Sequence, residues 1–165
     1  MNPKKVNGRA KGASFELVVA KAFSEVFGYK IKRTPLSGGW SHDNPETAGD
    51  LVCNTKGADW PYCVECKNGE GWRLESLFTD NHKWFDDWWL QAVDECPTGK
   101  YPILVFSRNH APVLSGMDEL HLNMMAYLGY PHCLDNTTHI KVAVAGRAYP
   151  VIVMLLSELL YNIHS

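Results

Sequence analysis

Two acids and a lysine have the types and spacing of a hydrolytic site: Asp50, and then Glu65 and Lys67 with one residue between them. In a strand, alternate side chains share a face, so Glu65 and Lys67 point to one side. Val64 and Cys66, which alternate with them, point to the core. Two close carboxylates repel each other, and Mg²⁺ suits such a pair because it prefers oxygen ligands and keeps several waters. The pattern predicts a metal that activates a water to attack a phosphodiester, with Lys67 orienting that water or stabilising the transition state.

Two further polar side chains are predicted to lie beside this group. Glu16 occupies an early turn of the first predicted helix, one residue from its apolar stripe, and leans over the edge of the sheet. Gln91 lies in the helix after the Glu-x-Lys strand, next to the apolar Ala92. Three acids and a lysine on one helix and two strands favour a metal site. The alternative is that these charges only form ion pairs at the ends of the strands.

The elements that position these residues follow from the periodicity of the apolar residues. Spacings of i, i+3, i+4 and i+7 predict an amphipathic helix over 14–27, which Gly28 ends. The stretch 34–49, rich in glycine, proline and polar residues, is predicted to be an irregular loop. The order of elements is that of an α/β fold with a mixed sheet. The other predicted elements are strands over 29–33, 50–54, 61–67 and 101–107, helices over 80–96, 117–128 and 154–163, and a hairpin over 140–145 and 149–153.

Length and composition exclude several classes of protein. The 165 residues fit one domain, and 45% apolar with 21% charged residues is the balance of a folded globular chain. The longest strongly apolar run, 151–156, falls far short of the ~20 residues that span a bilayer. We expect no membrane partner, no secretory signal at the polar N-terminus and a cytoplasmic location, in the host if the chain is phage-encoded. Five cysteines, an odd number, argue against a disulfide framework.

The charge is unevenly distributed although the net charge is only −2. Residues 1–33 carry eight Lys or Arg against two acids, whereas residues 34–165 carry eight against sixteen. This asymmetry is typical of a basic arm or face, here over 1–11, that could follow the phosphates of a nucleic acid. The alternative is a solvated terminal tail. The basic residues of the arm are Lys4, Lys5, Arg9 and Lys11.

The order of these residues resembles the PD-(D/E)XK nucleases, and within them the Holliday junction resolvases of the archaeal and phage type. The resemblance covers roughly residues 8–108, and it departs from the motif at Gly49, where the name of the motif has a proline. The matching pieces are Lys11-Gly12, Glu16, Arg33, Ser37-Gly38, Gly49-Asp50, Glu65-Cys66-Lys67 and Gln91.

The resemblance implies an architecture and an activity. The chain would form a single restriction-endonuclease-like domain over 12–165, an α/β fold whose central mixed sheet is flanked by helices, with a core over 12–108 and a C-terminal extension over 109–165. It would be a homodimeric endonuclease that uses Mg²⁺, with Mn²⁺ able to substitute, and no nucleotide cofactor. Its partner would be four-way junction DNA, which it would nick symmetrically in two strands. The extension itself matches nothing and is left as part of the sheet, of a dimer surface or of a DNA contact.

The resemblance also implies roles for individual residues. Asp50 and Glu65 would hold the metal together with the backbone carbonyl of Cys66, and Glu16 would contact it directly or through water. Lys67 would act on the attacking water. Ser37 and Gln91 complete the catalytic set. The residues expected to contact DNA are Lys4, Lys5, Arg9, Lys11, Arg33 and Ser37.

Other functions remain open from the sequence alone. A nuclease of the same fold could act on linear duplex, flap or nicked DNA, and a non-catalytic DNA-binding module would use its acids only in ion pairs. The Cys63-x-x-Cys66 spacing is that of a zinc knuckle, but a strand would direct the two thiols to opposite faces, so we predict buried thiols. The aromatic residues of the second helix are predicted to be core or dimer surface rather than a platform for bases: Trp84, Phe85, Trp88 and Trp89.

Overall fold

The computed structural model describes residues 8–35, 47–79, 82–127, 138–144 and 147–164. Lys4, Lys5 and Ser37, predicted to contact DNA, lie outside the described residues. The described elements, in chain order, are α1 (Gly8–Phe27), β1 (Ile31–Arg33), β2 (Leu51–Cys53), β3 (Tyr62–Asn68), a 3₁₀ helix (Leu74–Phe78), α2 (Lys83–Asp94), β4 (Tyr101–Ser107), β5 (Leu114–Asp118), α3 (Glu119–Tyr127), β6 (Thr138–Val144), β7 (Arg147–Leu155) and α4 (Leu156–His164).

The central sheet has five strands in the order β3-β4-β5-β7-β6. β3 and β4 are parallel, with Glu65 opposite Leu104, and the remaining neighbours are antiparallel. β1 and β2 form a separate antiparallel ribbon. The sheet is therefore mixed, as predicted, and β3 lies at its edge.

Two apolar layers cover the sheet, one on each face. β4 is buried on both sides, with Ile103 and Val105 in one cluster and Leu104 and Phe106 in the other. Side chains of α1, α3 and α4 complete the first cluster, and those of α2 and the 3₁₀ helix complete the second. A continuous apolar run such as β4 is typical of a strand buried on both faces. The architecture is the restriction-endonuclease-like α/β fold that the sequence predicted.

The first helix begins earlier than the sequence indicated. α1 starts at Gly8 instead of residue 14, so residues 8–11 of the predicted basic arm are helical. The apolar periodicity misses these turns because their residues contribute little to the core, although Ala10 and Lys11 are good helix formers. As a consequence, Glu16 lies in the third turn of α1, not in an early one.

The described strands after residue 109 extend the sheet, which was one of the roles left open for the C-terminal extension. β5 was missed by the sequence analysis, and the helix predicted to begin at Met117 begins at Glu119. Ser115 and Gly116 weaken the sequence pattern of this strand because neither residue favours β structure. Gly116 nevertheless permits close packing of the helix against the strand, since a Cβ there would lie 3.3 Å from Cζ of Phe85. The predicted hairpin is confirmed as the antiparallel pair β6–β7.

A helix that crosses a bilayer needs about 20 consecutive, predominantly apolar residues. Among the described residues, no helix is both long enough and apolar enough to cross a membrane.

Candidate active site

The backbone of β3 fixes Asp50 at the edge of the sheet. The Asp50 N–H donates to the Val64 carbonyl at 2.8 Å, and Oδ2 of its carboxylate accepts the Cys66 N–H at 2.8 Å. The Asp50 carbonyl in turn accepts the Thr34 N–H at 2.8 Å. Asp50 precedes β2 by one residue, so the two-stranded ribbon and the sheet edge both hold it in place.

Gly49 explains the departure from the proline of the motif. Its φ is +78°, in the left-handed region that favours glycine. A Cβ at this position would lie 2.8 Å from the Val64 carbonyl oxygen and 3.1 Å from Sγ of Cys63. Proline requires φ near −65°, so it cannot adopt this backbone. Glycine is the residue that lets the chain reach β3 closely enough for Asp50 to bind it.

Lys67 lies between Glu65 and Gln91, as the predicted constellation requires. Its Nζ donates to Oε1 of Glu65 at 2.7 Å and to Oε1 of Gln91 at 2.6 Å. Nε2 of Gln91 donates to Oε1 of Glu95 at 2.9 Å, which turns the amide oxygen toward the lysine. The sequence analysis missed Glu95, although its i+4 spacing from Gln91 on the helix indicates such a pair. β3 and α2 thus orient the ammonium group from two sides.

The Glu65 carboxyl is buried beside a second negative charge. Its pKa is raised from 4.5 to about 7, first by burial and then by the charge of Asp50, while Lys67 acts in the opposite direction. Glu65 and Asp50 are only 6% and 8% exposed. One lysine does not offset the cost of two buried carboxylates, so a further cation near them would be stabilising.

The donor set at this edge fits a hard divalent cation. The N–H and C=O of one strand residue point to the same side, so the Cys66 carbonyl faces Asp50 and not β4. Two carboxylates and this carbonyl supply oxygen ligands, and Mg²⁺ binds through one or two carboxylates while it keeps waters. Across the described ranges, no three His, Cys, Asp or Glu side chains form a ready metal-binding group. The remaining ligands would therefore be water or substrate oxygen.

Glu16 and Arg33 lie together at the side of the site. Nε of Arg33 donates to Oε2 of Glu16, which is 8% exposed in α1. The pKa of the Cys66 thiol is raised by burial, then by Asp50 and Glu65, and then by Glu16. Glu16 is therefore close enough to act on the site, but in this structure it binds an arginine that the sequence analysis assigned to DNA.

Comparison with known proteins agrees with this geometry. The model of a family described as "Phage putative PDDEXK endonuclease" matches residues 7–163. The chain belongs to this PDDEXK family. No curated protein and no solved structure gives a significant match. The family identifies a nuclease of the PD-(D/E)XK superfamily, whose members generally use divalent metals.

The basic residues of this PDDEXK protein are divided between the surface and internal contacts. Nζ of Lys11 donates to Oε1 of Glu70 at 2.5 Å, so this residue connects α1 to the segment after β3. Arg9 is exposed on α1. Lys11 and Arg33 thus each have an acidic partner, Glu70 and Glu16 respectively, and DNA binding by the basic residues stays a prediction.

The cysteine pair and the aromatic residues behave largely as expected for core residues. Cys63 and Cys66 lie in β3, where Cys63 approaches the Glu95 carbonyl at 3.9 Å and Cys66 packs against the first cluster. The thiols of the PDDEXK chain thus face opposite sides of the sheet. In α2, Phe85 and Trp89 are buried, while Trp84 and Trp88 pack against the second cluster and stay partly exposed.

Proposed function

We propose that this PDDEXK protein is a Mg²⁺-dependent DNA endonuclease that resolves four-way junctions in the cytoplasm, acting as a homodimer. The observation that carries the metal-dependent hydrolysis is the buried pair Asp50 and Glu65 at the free edge of β3, with Lys67 bonded to Glu65. The choice of a junction as substrate is supported by the order of Glu16, Arg33 and the Glu-x-Lys strand, which resembles that of the resolvases.

Asp50, Glu65 and the Cys66 carbonyl would hold the metal, which supplies Lewis-acid charge and a bound water of lowered pKa. Lys67 places its ammonium group beside Glu65, where it orients the attacking water and offsets negative charge that develops on the phosphate. Gln91 restricts the lysine to that position. Arg33, held by Glu16, presents positive charge to the same edge.

Hydrolysis by direct attack of water agrees with the state of the nearby thiol. The pKa of Cys66 is raised well above its usual value, mainly by burial, which disfavours this thiol as a nucleophile near neutral pH. In the direct reaction, the water oxygen bonds to phosphorus as one P–O ester bond breaks, and the proton that the water loses is matched by one that the leaving sugar oxygen takes up. No enzyme–DNA bond is made.

A panel of substrates tests the proposal. A four-way junction, a sequence-matched linear duplex, a nicked duplex and a flap are incubated with Mg²⁺ or with chelator. We expect paired symmetric nicks in the junction only, and only with the metal. Cleavage of the duplex would replace junction resolution with another nuclease activity, and absence of all cleavage would favour a DNA-binding module.

A further inference from the structure

A polar cleft, separate from the carboxylates, lies beside β2 and the start of β3. We call it the lysine cleft. It has a volume of about 580 Å³, within the range of ~300–1,000 Å³ for ligand sites. Its lining residues include Thr47, Asn54, Thr55, Lys56, Trp60 and Lys100.

The lysine cleft is positively charged. Lys56 and Lys100 line it, and no Asp or Glu is found among its described lining residues. Asp59, an exposed acid in the same turn, lies outside the lining. Lys30 adjoins the cleft through its backbone, since its N–H donates to Oγ1 of Thr55 at 2.6 Å and its carbonyl accepts the Asn54 N–H at 2.8 Å. Hydroxyl and amide groups beside ammonium groups suit an anion with several oxygen atoms.

The cleft adjoins the beginning of β3, whereas Glu65 lies further along the same strand. Thr47 is three residues from Asp50, and the Tyr101 N–H donates to the Pro61 carbonyl at 2.8 Å, which places Lys100 at the beginning of β3. From Tyr62 to Glu65 the strand advances by ~10 Å, at about 3.3 Å per residue. A DNA strand advances about 3.4 Å per nucleotide along the helix axis, so the two places are a few nucleotides apart.

We propose that the lysine cleft is a phosphate-binding subsite that holds the DNA backbone a few nucleotides from the phosphate that is cut. This inference rests on the proposed nuclease function. Lys56 and Lys100 neutralise backbone phosphate, and Val52 and Trp60 offer an apolar surface for the sugar. Such contacts fix the position of the DNA without reading its sequence.

The test is the salt dependence of DNA binding in the presence of chelator. The double variant Lys56→Ala/Lys100→Ala is compared with Lys21→Ala/Lys83→Ala, which removes the same charge from exposed sites on α1 and α2. Each phosphate contact contributes about −0.9 to the slope of log K against log salt for duplex DNA. The slope of the cleft variant is therefore expected to be less negative by about 1–2. An unchanged slope, or an equal loss in the control, would overturn the proposal.

Inorganic phosphate distinguishes the backbone from a small free anion as the occupant. Calorimetry of inorganic phosphate with both double variants reports on the cleft alone. Phosphate bound by the native chain and not by the cleft variant, with an unchanged DNA slope, would overturn the DNA backbone as the occupant.

The two proposals fail separately. With Mg²⁺, the KM of the cleft variant for DNA is expected to be about tenfold higher and its kcat unchanged. The reason is that the lost contact stabilises the bound DNA and the transition state equally. Absence of cleavage by the native chain would reject the nuclease, whereas the slope measured with chelator would still test the cleft.

Discussion

The Glu65 carboxyl gives the protein a specific dependence of stability on pH. Its folded-state pKa of about 7 lies above the ordinary 4.5, so the folded chain binds more protons between these values. The contribution of Glu65 to the free energy of unfolding is therefore complete below pH 4.5. It falls by about 3 kcal/mol as the pH rises to about 7. Urea unfolding with chelator from pH 4 to 8 measures this fall. Glu65→Gln is expected to abolish it and Glu25→Gln, an exposed control, to keep it.

The affinity for Mg²⁺ is expected to rise with pH as the Glu65 carboxyl loses its proton. A cation requires the Glu65 carboxylate, so Mg²⁺ affinity falls up to tenfold for each pH unit below about 7. Calorimetry at pH 6 and pH 8 measures this, and thermal unfolding is expected to show a larger Mg²⁺ stabilisation at pH 8. Asp50→Asn is expected to remove both effects. Equal affinity at the two pH values would contradict the assignment of Glu65 as a ligand.

Substitution of Lys67 is expected to lower the rate of cleavage more than substitution of Gln91. Lys67→Ala removes the ammonium group beside the attacking water and is expected to lower kcat by about 10²–10⁴. Gln91→Ala leaves the Glu65 contact of Lys67 intact and is expected to cost about tenfold. DNA binding with chelator is measured in parallel and is expected to stay unchanged. Lys83→Ala on the same helix is the control, and a similar loss there would contradict the assignment.

The sequence could identify the individual members of the site but not all their partners. Glu65 and Lys67 were found because strand alternation and the Glu-x-Lys spacing are local, and Asp50 and Gln91 because they lie in the neighbouring predicted strand and helix. The pairs Glu16–Arg33 and Lys11–Glu70 depend on how distant segments pack, which local periodicity does not contain.

At the scale of an element, Gly49 is the position where the backbone decides the geometry. Gly49→Ala is expected to cost more than the ~1–2 kcal/mol of left-handed strain, because its Cβ also meets the β3 backbone at 2.8 Å. It is also expected to displace Asp50 and abolish cleavage. Gly28→Ala, at φ +66° with nothing within 4 Å, carries the strain alone and is the control in urea unfolding. Equal losses in the two variants would show that contact with β3 is unimportant.

The elements predicted correctly have a clear local apolar pattern, and the elements that were missed lack one. β4 was predicted with the observed bounds because a strand buried on both faces is a continuous apolar run. β5 was missed because Gly116 serves close packing against Phe85, a tertiary requirement that outweighs local preference. The first turns of α1 were missed because they contribute little to the apolar pattern.

At the scale of the whole molecule, two coordinated nicks require two active sites. If the proposed homodimer is correct, sedimentation is expected to give about twice the chain mass of 18.6 kDa. Mixing native chain with Asp50→Asn chain is expected to produce junctions nicked in one strand, because each mixed dimer keeps one working site. Paired nicks from a species of single-chain mass would contradict the dimer.

The pairing of β3 with β4 has a consequence for synthesis of the protein. Asp50, Glu65, Lys67 and Gln91 all leave the ribosome before β4, yet β3 has no place in the sheet until β4 and the strands beyond it are made. At about 5–20 residues per second, synthesis from Gln91 to the end of β7 at Leu155 takes on the order of 3–13 s. During it the hydrogen bonds between Asp50 and the β3 backbone lack the support of β4. The arrangement of Asp50, Glu65 and Lys67 is therefore expected to be complete only once β3 has paired with β4.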